Sequence, residues 1–175
     1  MAADDVRRVF AYGSLLHEPS LVATLAHRDA PPPSTPFVLD GWRRAWNVVS
    51  TRTFEPADDP GHRVRRVVLG IEAAAGASCE GVLLTLDDAD LAALAPREAA
   101  YELVPVGSDG RADVWSFVPK PERLVGVRPV SEPLVIEQAY LDGCRAGIAA
   151  HGLALARAEV ARALAGFPIA RAATS

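Results

Sequence analysis

Val9-Phe10-Ala11-Tyr12-Gly13-Ser14-Leu15 is the stretch on which the fold turns. Three apolar residues in succession read as the end of a buried strand, and the run breaks at a glycine and a serine into a tight loop with free backbone amides. Glycine admits conformations closed to other residues and lets a ligand come close to the main chain, while Ser14 adds a short hydroxyl. Such a loop suits a small carboxylate. Further on, Pro96-Arg97-Glu98-Ala99-Ala100-Tyr101 sets one carboxylate between a short helical pattern and the next strand. The two features together predict a pocket with one acid–base residue.

Outward from the loop, Val6 to Ala11 reads as the first strand and Pro19 to His27 as a short helix with proline in its first turn. Ala30 to Ser34 holds three consecutive prolines, so no helix crosses it. Phe37 to Ser50 is rich in aromatic and β-branched residues and reads as one or two strands, with Asp40-Gly41 as a turn between them. Thr51 to His62 is polar and proline-containing, hence a loop. Val64 to Ile71 and Glu80 to Leu86 are predicted strands joined by the small-residue linker Ala73 to Ser78. Asp87 or Asp88 can cap a helix running to Leu94, because an aspartate oxygen accepts from the free amides of a first turn. Tyr101 to Val106 and Arg111 to Val118 flank Gly107-Ser108-Asp109-Gly110, a hairpin loop by composition. Thereafter the period changes: Ile136, Tyr140, Cys144 and Ile148 form a helical stripe that Gly152 can terminate, and a last helix is predicted from Ala156 to Leu164. The expected fold class is α+β, with a mixed, mainly antiparallel sheet curled toward a barrel and helices at its sides.

Composition narrows the function classes. The 175 residues suit one domain, residues 1–175, with a core that needs no metal or disulfide. No apolar run approaches the roughly 20 residues of a membrane span. The net charge of -4 argues against nucleic acid. Met1-Ala2-Ala3-Asp4-Asp5 is acidic where a signal peptide is basic, which predicts a cytoplasmic protein. Nothing in the sequence sets an oligomeric state. Cys79 and Cys144 have no metal-type spacing and read as buried free thiols; no phosphate-binding glycine pattern and no cluster of metal ligands is present.

These residues resemble the γ-glutamylcyclotransferases, and within them the ChaC-like branch that cleaves glutathione. Val9 to Leu15 is similar to that family's glycine-containing substrate loop. Gly41-Trp42-Arg43-Arg44-Ala45-Trp46 through Ser50 resembles the block that follows, and Val68 to Glu72 with Ser78 to Val82 resembles a segment of the ChaC-like members. Arg97-Glu98 with Tyr101 is similar to the catalytic-glutamate block, and Tyr140-Leu141-Asp142 through Gly147 to a late helix. The blocks stand in the family's order across residues 6–152. Thr51 to Arg66 departs from the ChaC-like pattern and Lys120 to Pro133 is shorter, both in loop-like regions that could border a leaving group.

The resemblance implies release of 5-oxoproline from glutathione, leaving Cys-Gly, or from another γ-glutamyl peptide or amine. It implies Glu98 as the catalytic residue, a substrate site including Tyr12, Gly13, Ser14, Leu15, Tyr101 and Tyr140, and neither cofactor nor metal. The chemistry needs no protein nucleophile: the substrate's α-amine attacks its own γ-carbonyl, and one carboxylate can take the amine's proton and give it to the leaving nitrogen. Plain readings stand beside these. Glu98 can be a surface residue paired with Arg97, Tyr12 to Leu15 merely a turn, and Tyr140 a core residue on an apolar stripe. Arg43 and Arg44 read as a solvated strand end, with at most one facing a substrate. Trp42, Trp46 and Trp115 read as core or pocket wall. A cysteine hydrolase, or a non-catalytic module that binds a metabolite or a protein, are the competing functions.

Overall fold

The computed structural model describes residues 6–173; the acidic run Met1 to Asp5 lies outside them. Its centre is a five-residue strand, β1 (Arg7–Ala11), whose last three residues are fully buried. Two long strands belong to the same sheet, β3 (Val64–Leu86) paired to β1 and β2 (Ser34–Phe54) paired to β3, and a helix, α1 (Glu18–Thr24), lies between β1 and β2 in sequence. After β3 come α2 (Asp88–Leu94), the hairpin of β4 (Tyr101–Ser108) and β5 (Asp113–Pro119), then β6 (Leu134–Glu137), α3 (Gln138–Ala150), α4 (Ala154–Ala163) and the two-residue β7 (Ile169–Ala170). The sheet runs β4-β5-β1-β3-β6-β7, with β2 paired to β3 off that path. β1 is antiparallel to β3 and parallel to β5, so the sheet is mixed, and among the described residues its edges do not meet to close a barrel.

Two expected interruptions are absent. β2 does not turn at Asp40-Gly41; it continues, and Gly41 with a φ of +80° marks a bulge where the register against β3 jumps. Opposite that bulge, Ala73 to Ser78 is not a linker between two strands but a stretch of one strand. Pairing with β2 at both ends, Trp42↔Ala73 and Asp40↔Ser78, keeps the stretch in the strand although its own strand preference is weak, and the four residues between have only Gly41 opposite them, with Gly76 at a φ of +76°. β2 also runs four residues into the predicted loop, to Phe54. A third correction falls at Ile136: it belongs to β6, and the helix begins two residues later. Ile136 still points into the core, because a strand entering a helix can supply the same buried face.

Other expectations match. Asp87 caps α2 in a reciprocal box, accepting from the Asp90 amide at 2.9 Å while Asp90 accepts from the Asp87 amide at 3.0 Å. Gly152, at φ +68°, follows α3. The effect on the site is positional. β1 ends in the middle of the sheet, flanked by β3 and β5, and α2 carries the chain back to that same end before β4 begins.

Candidate active site

Beyond Ala11 the chain tightens into a short 3-10 turn, Ser14–Leu16, held by hydrogen bonds from Leu16 N to Gly13 O and His17 N to Ser14 O. The leading amides of such a turn have no partner within it, which leaves them for another acceptor. Gly13 has a φ of -132°, so it does not occupy the left-handed region expected of a glycine in a tight loop. A single methyl there would fit at ordinary contact distance, and a larger side chain would project into the notch. A Cβ there would lie 3.6 Å from Leu69 Cβ and 3.9 Å from the Tyr140 hydroxyl, in the mouth of a narrow notch.

That notch gathers residues far apart in sequence. Tyr12, Gly13, Ser14 and Leu15 line it from the loop, Glu98 and Tyr101 from the segment after α2, and Tyr140 from the first turn of α3. All seven predicted site residues therefore border one depression, with Leu69 and Phe117 as apolar walls. The notch adjoins a wider cavity of about 360 Å³, and Ser14, Glu98, Tyr101 and Tyr140 border both.

The tyrosines are fixed. Tyr12 donates its hydroxyl to Phe117 O in β5 at 2.7 Å, and Tyr101 donates to Leu69 O in β3 at 2.6 Å. Tyr140 meets Trp46 edge to face at 6.0 Å between ring centroids, and the Arg66 guanidinium lies 5.1 Å over its ring. Burial raises all three phenols above their ordinary range, so they are neutral donors near neutral pH.

Glu98 is buried, with 8% of its surface exposed, and burial pushes its carboxyl up to about 7 against the pull of Arg97. Arg97 approaches it through Nε at 3.4 Å, one loose contact. The rest of that guanidinium is engaged elsewhere: it donates to Ser14 O, Ser14 Oγ, Ser20 O and Thr24 Oγ1 at 2.9–3.2 Å. Arg97 is thus less a counter-ion than a bracket between the loop, α1 and the Glu98 segment. The surface pairing weighed for Glu98 does not describe it.

Arg44 was expected at a solvated strand end and is instead buried, donating to Tyr12 O at 2.7 Å and to Glu80 O, and pairing with Glu159 of α4. β2 side chains alternate, so Arg43 faces outward to Glu72 while its neighbour faces in. Neither borders the notch. Three arginines do border the wider cavity: Arg97, named in the sequence beside Glu98, and Arg52 and Arg66, which were not named singly but fall in Thr51 to Arg66, the segment set apart there as a possible border of the leaving group. The available signal for Arg66 was an arginine two residues before Val68 on a strand, since both line the cavity.

Cys79 and Cys144 are fully buried, and burial pushes each thiol up to about 12; neither borders the notch or the cavity. They are not nucleophiles in waiting. Among the described residues, the group with metal-ligand spacing is His27, Asp87 and Asp90, and there Arg28 already occupies both Asp90 oxygens at 2.5 Å. Among the described residues no helix is long and apolar enough to cross a membrane.

No protein-family model and no curated protein matches the sequence. Solved structures do match in three dimensions. YkqA of Bacillus subtilis superposes over 94% of this chain at a TM-score of 0.65 and 18% identity, and the chain spans 56% of that protein. A γ-glutamyl cyclotransferase superposes at 0.60 and 16% identity over 94% of this chain and 89% of its own, and a glutathione-specific γ-glutamyl cyclotransferase from yeast at 0.56 and 15% over 91% and 97%. The chain has the fold of the γ-glutamyl cyclotransferases.

Proposed function

We propose that the protein is a γ-glutamylcyclotransferase, releasing 5-oxoproline from glutathione or another γ-glutamyl peptide or amine, with Glu98 as its single acid–base residue. The observation that carries this reading is a buried carboxyl, raised to about 7, on the border between a notch walled by Gly13 and a wider cavity. A carboxylate with an ordinary value near 4.3 is a weak base, whereas one near neutrality can both accept and return a proton.

In this reading the γ-glutamyl group lies against Tyr12 to Leu15, where free amides and the Ser14 hydroxyl hold its α-carboxylate or polarise its γ-carbonyl. The folded substrate brings its α-amine to the γ-carbon. Glu98 takes a proton from that amine as the new C–N bond forms, and gives it to the departing nitrogen as the old C–N bond breaks. Ring closure within one molecule supplies the proximity that a bimolecular attack lacks. Tyr101 and Tyr140 shape the pocket around the folded chain.

Incubation with glutathione and with γ-glutamyl amino acids, read as 5-oxoproline by mass spectrometry, tests the proposal. Its control is an N-acetylated γ-glutamyl substrate, whose amide nitrogen has no lone pair free to close the ring. Release from the free amine alone is expected; cleavage of the acetylated compound, or no 5-oxoproline from any γ-glutamyl compound, would overturn the reading.

A further inference from the structure

The wider cavity is unbalanced in charge. Arg52, Arg66 and Arg97 border it, and Glu98 is the one acid among its lining residues. Arg97 is spent on the loop, α1 and Glu98. The other two are less fully engaged. Arg66 gives one terminal nitrogen to Glu137 at 2.8 Å and rests on the Tyr140 ring, and its other terminal nitrogen has no hydrogen-bond partner among the described residues. Arg52, from the end of β2, has no acidic partner among the described residues, and its neighbours Ser50 and Thr51 also border the cavity. The adjacent Arg65 does not share this role, because strand alternation turns it to Glu132 and to the Ser50 and Thr51 carbonyls.

A guanidinium with one terminal nitrogen still open and a second guanidinium without an acidic partner, on the wall of one cavity, form an arrangement completed by an anion. Because Glu98 and Tyr140 border both spaces, a γ-glutamyl group in the notch directs whatever is attached to its γ-carbonyl into this cavity.

We propose that Arg52 and Arg66 form a subsite for a carboxylate on the leaving amine, so that the protein selects γ-glutamyl amino acids and peptides with a free carboxylate over γ-glutamyl amines and amides. The proposal rests on the cyclotransferase reading and deepens it. Arg66, steadied by Glu137 and Tyr140, is the fixed partner. Arg52 is the exposed one and adds attraction that salt screens.

The test compares γ-glutamyl-alanine with γ-glutamyl-alaninamide, which differ in that one charge. The expected kcat/KM ratio of acid to amide is at least ~10, the size of one charge-assisted hydrogen bond, expressed mainly in KM and reduced by high salt. Arg52→Gln and Arg66→Gln should each move the ratio toward one. Arg66→Gln leaves Glu137 unpaired, so if it fails to fold, Arg52→Gln bears the test alone. A ratio near one in the unaltered protein, or one that folded variants leave untouched, would overturn the subsite while 5-oxoproline release still upheld the cyclotransferase. If neither compound is cyclised but glutathione is, the same comparison is made between glutathione and its C-terminal amide; if no γ-glutamyl compound is cyclised, the cyclotransferase reading falls and calorimetric binding decides the subsite separately. Tighter binding of the acid, dependent on Arg52, sustains it; equal binding or none overturns it.

Discussion

Glu98 is the residue at which stability and activity pull in opposite directions. Its carboxyl is raised to about 7 in the folded chain from an unfolded value near 4.5, so the native state keeps a proton that the unfolded state has lost. Between those values stability therefore falls as pH rises, by on the order of 3 kcal/mol in all, and above about pH 7 the full penalty is present. Glu98→Gln carries no charge to bury. Thermal melts should place it above the unaltered protein at about pH 8 and bring the two together below about pH 5, while its 5-oxoproline release at pH 8 drops by at least ~10²-fold. A variant that is neither stabilised nor slowed would remove Glu98 from both roles. In the unaltered protein kcat/KM should lose about tenfold per unit below pH 7, because the base form disappears there; a profile flat from about pH 5 to 7 would contradict the assignment. At Gly13 a Cβ would make ordinary contacts with Leu69 and Tyr140, but the two methyls of valine would project beyond it into the notch, so Gly13→Val should weaken substrate binding strongly with only a modest fall in melting temperature. Unchanged affinity, measured by calorimetry, would make Gly13 only part of a turn. The place of Glu98 after a capped helix was legible in the chain; its burial was not, because the residues that cover it come from β1, β3 and α3, far away in sequence.

At the scale of elements, the site depends on α3 lying close against the turn that carries Ser14. Gly147 makes that contact possible. A Cβ there would stand 2.5–2.7 Å from the Leu16 carbonyl group and the His17 amide, which are backbone atoms that cannot rotate aside. Helix propensity alone favours alanine over glycine by about 1 kcal/mol, so the two effects oppose each other. Overlap with backbone on that scale is the larger, since overpacking costs about 1–3 kcal/mol or more and here the turn itself must shift. Gly147→Ala is therefore expected to lose about 1–2 kcal/mol in urea unfolding and to lose activity with it, against the direction that propensity gives. A gain in stability would mean that α3 has room to move. Such packing is invisible in a single sequence, where Gly147 is one more glycine on a helical stripe. The same limit explains the elements misread. Nothing local marks Ala73 to Ser78 as strand, because only pairing with β2 at its two ends keeps it in one, and Ile136 fits the helical period while it belongs to β6. The Asp87 cap and the β4–β5 hairpin were readable because their signals lie within a few residues of each other.

Across the whole molecule, one buried cation joins the sheet, the last long helix and the loop. Arg44 stands on β2, donates to the Tyr12 carbonyl at the end of β1 and to the Glu80 carbonyl on β3, and pairs with Glu159 on α4. Its sequence neighbourhood, a pair of arginines between tryptophans, gave no sign of which one turns inward, and the partners that decide it are 32, 36 and 115 residues away. Fully desolvated ion pairs are weak stabilisers when compared with an apolar replacement of both members, but removing one member strands the other. Arg44→Met would leave a largely buried carboxylate and two carbonyls without their donor, for a loss on the order of 3–5 kcal/mol in chemical unfolding. Glu159→Leu added to Arg44→Met should restore part of that loss by removing the stranded charge. Activity should not return in step with stability, because the Tyr12 carbonyl still lacks the bond that fixes the loop beside Gly13. A double variant that recovers both stability and 5-oxoproline release would show that Arg44 serves only the packing of α4 on the sheet; stability recovered without turnover ties the position of the substrate loop to this one side chain.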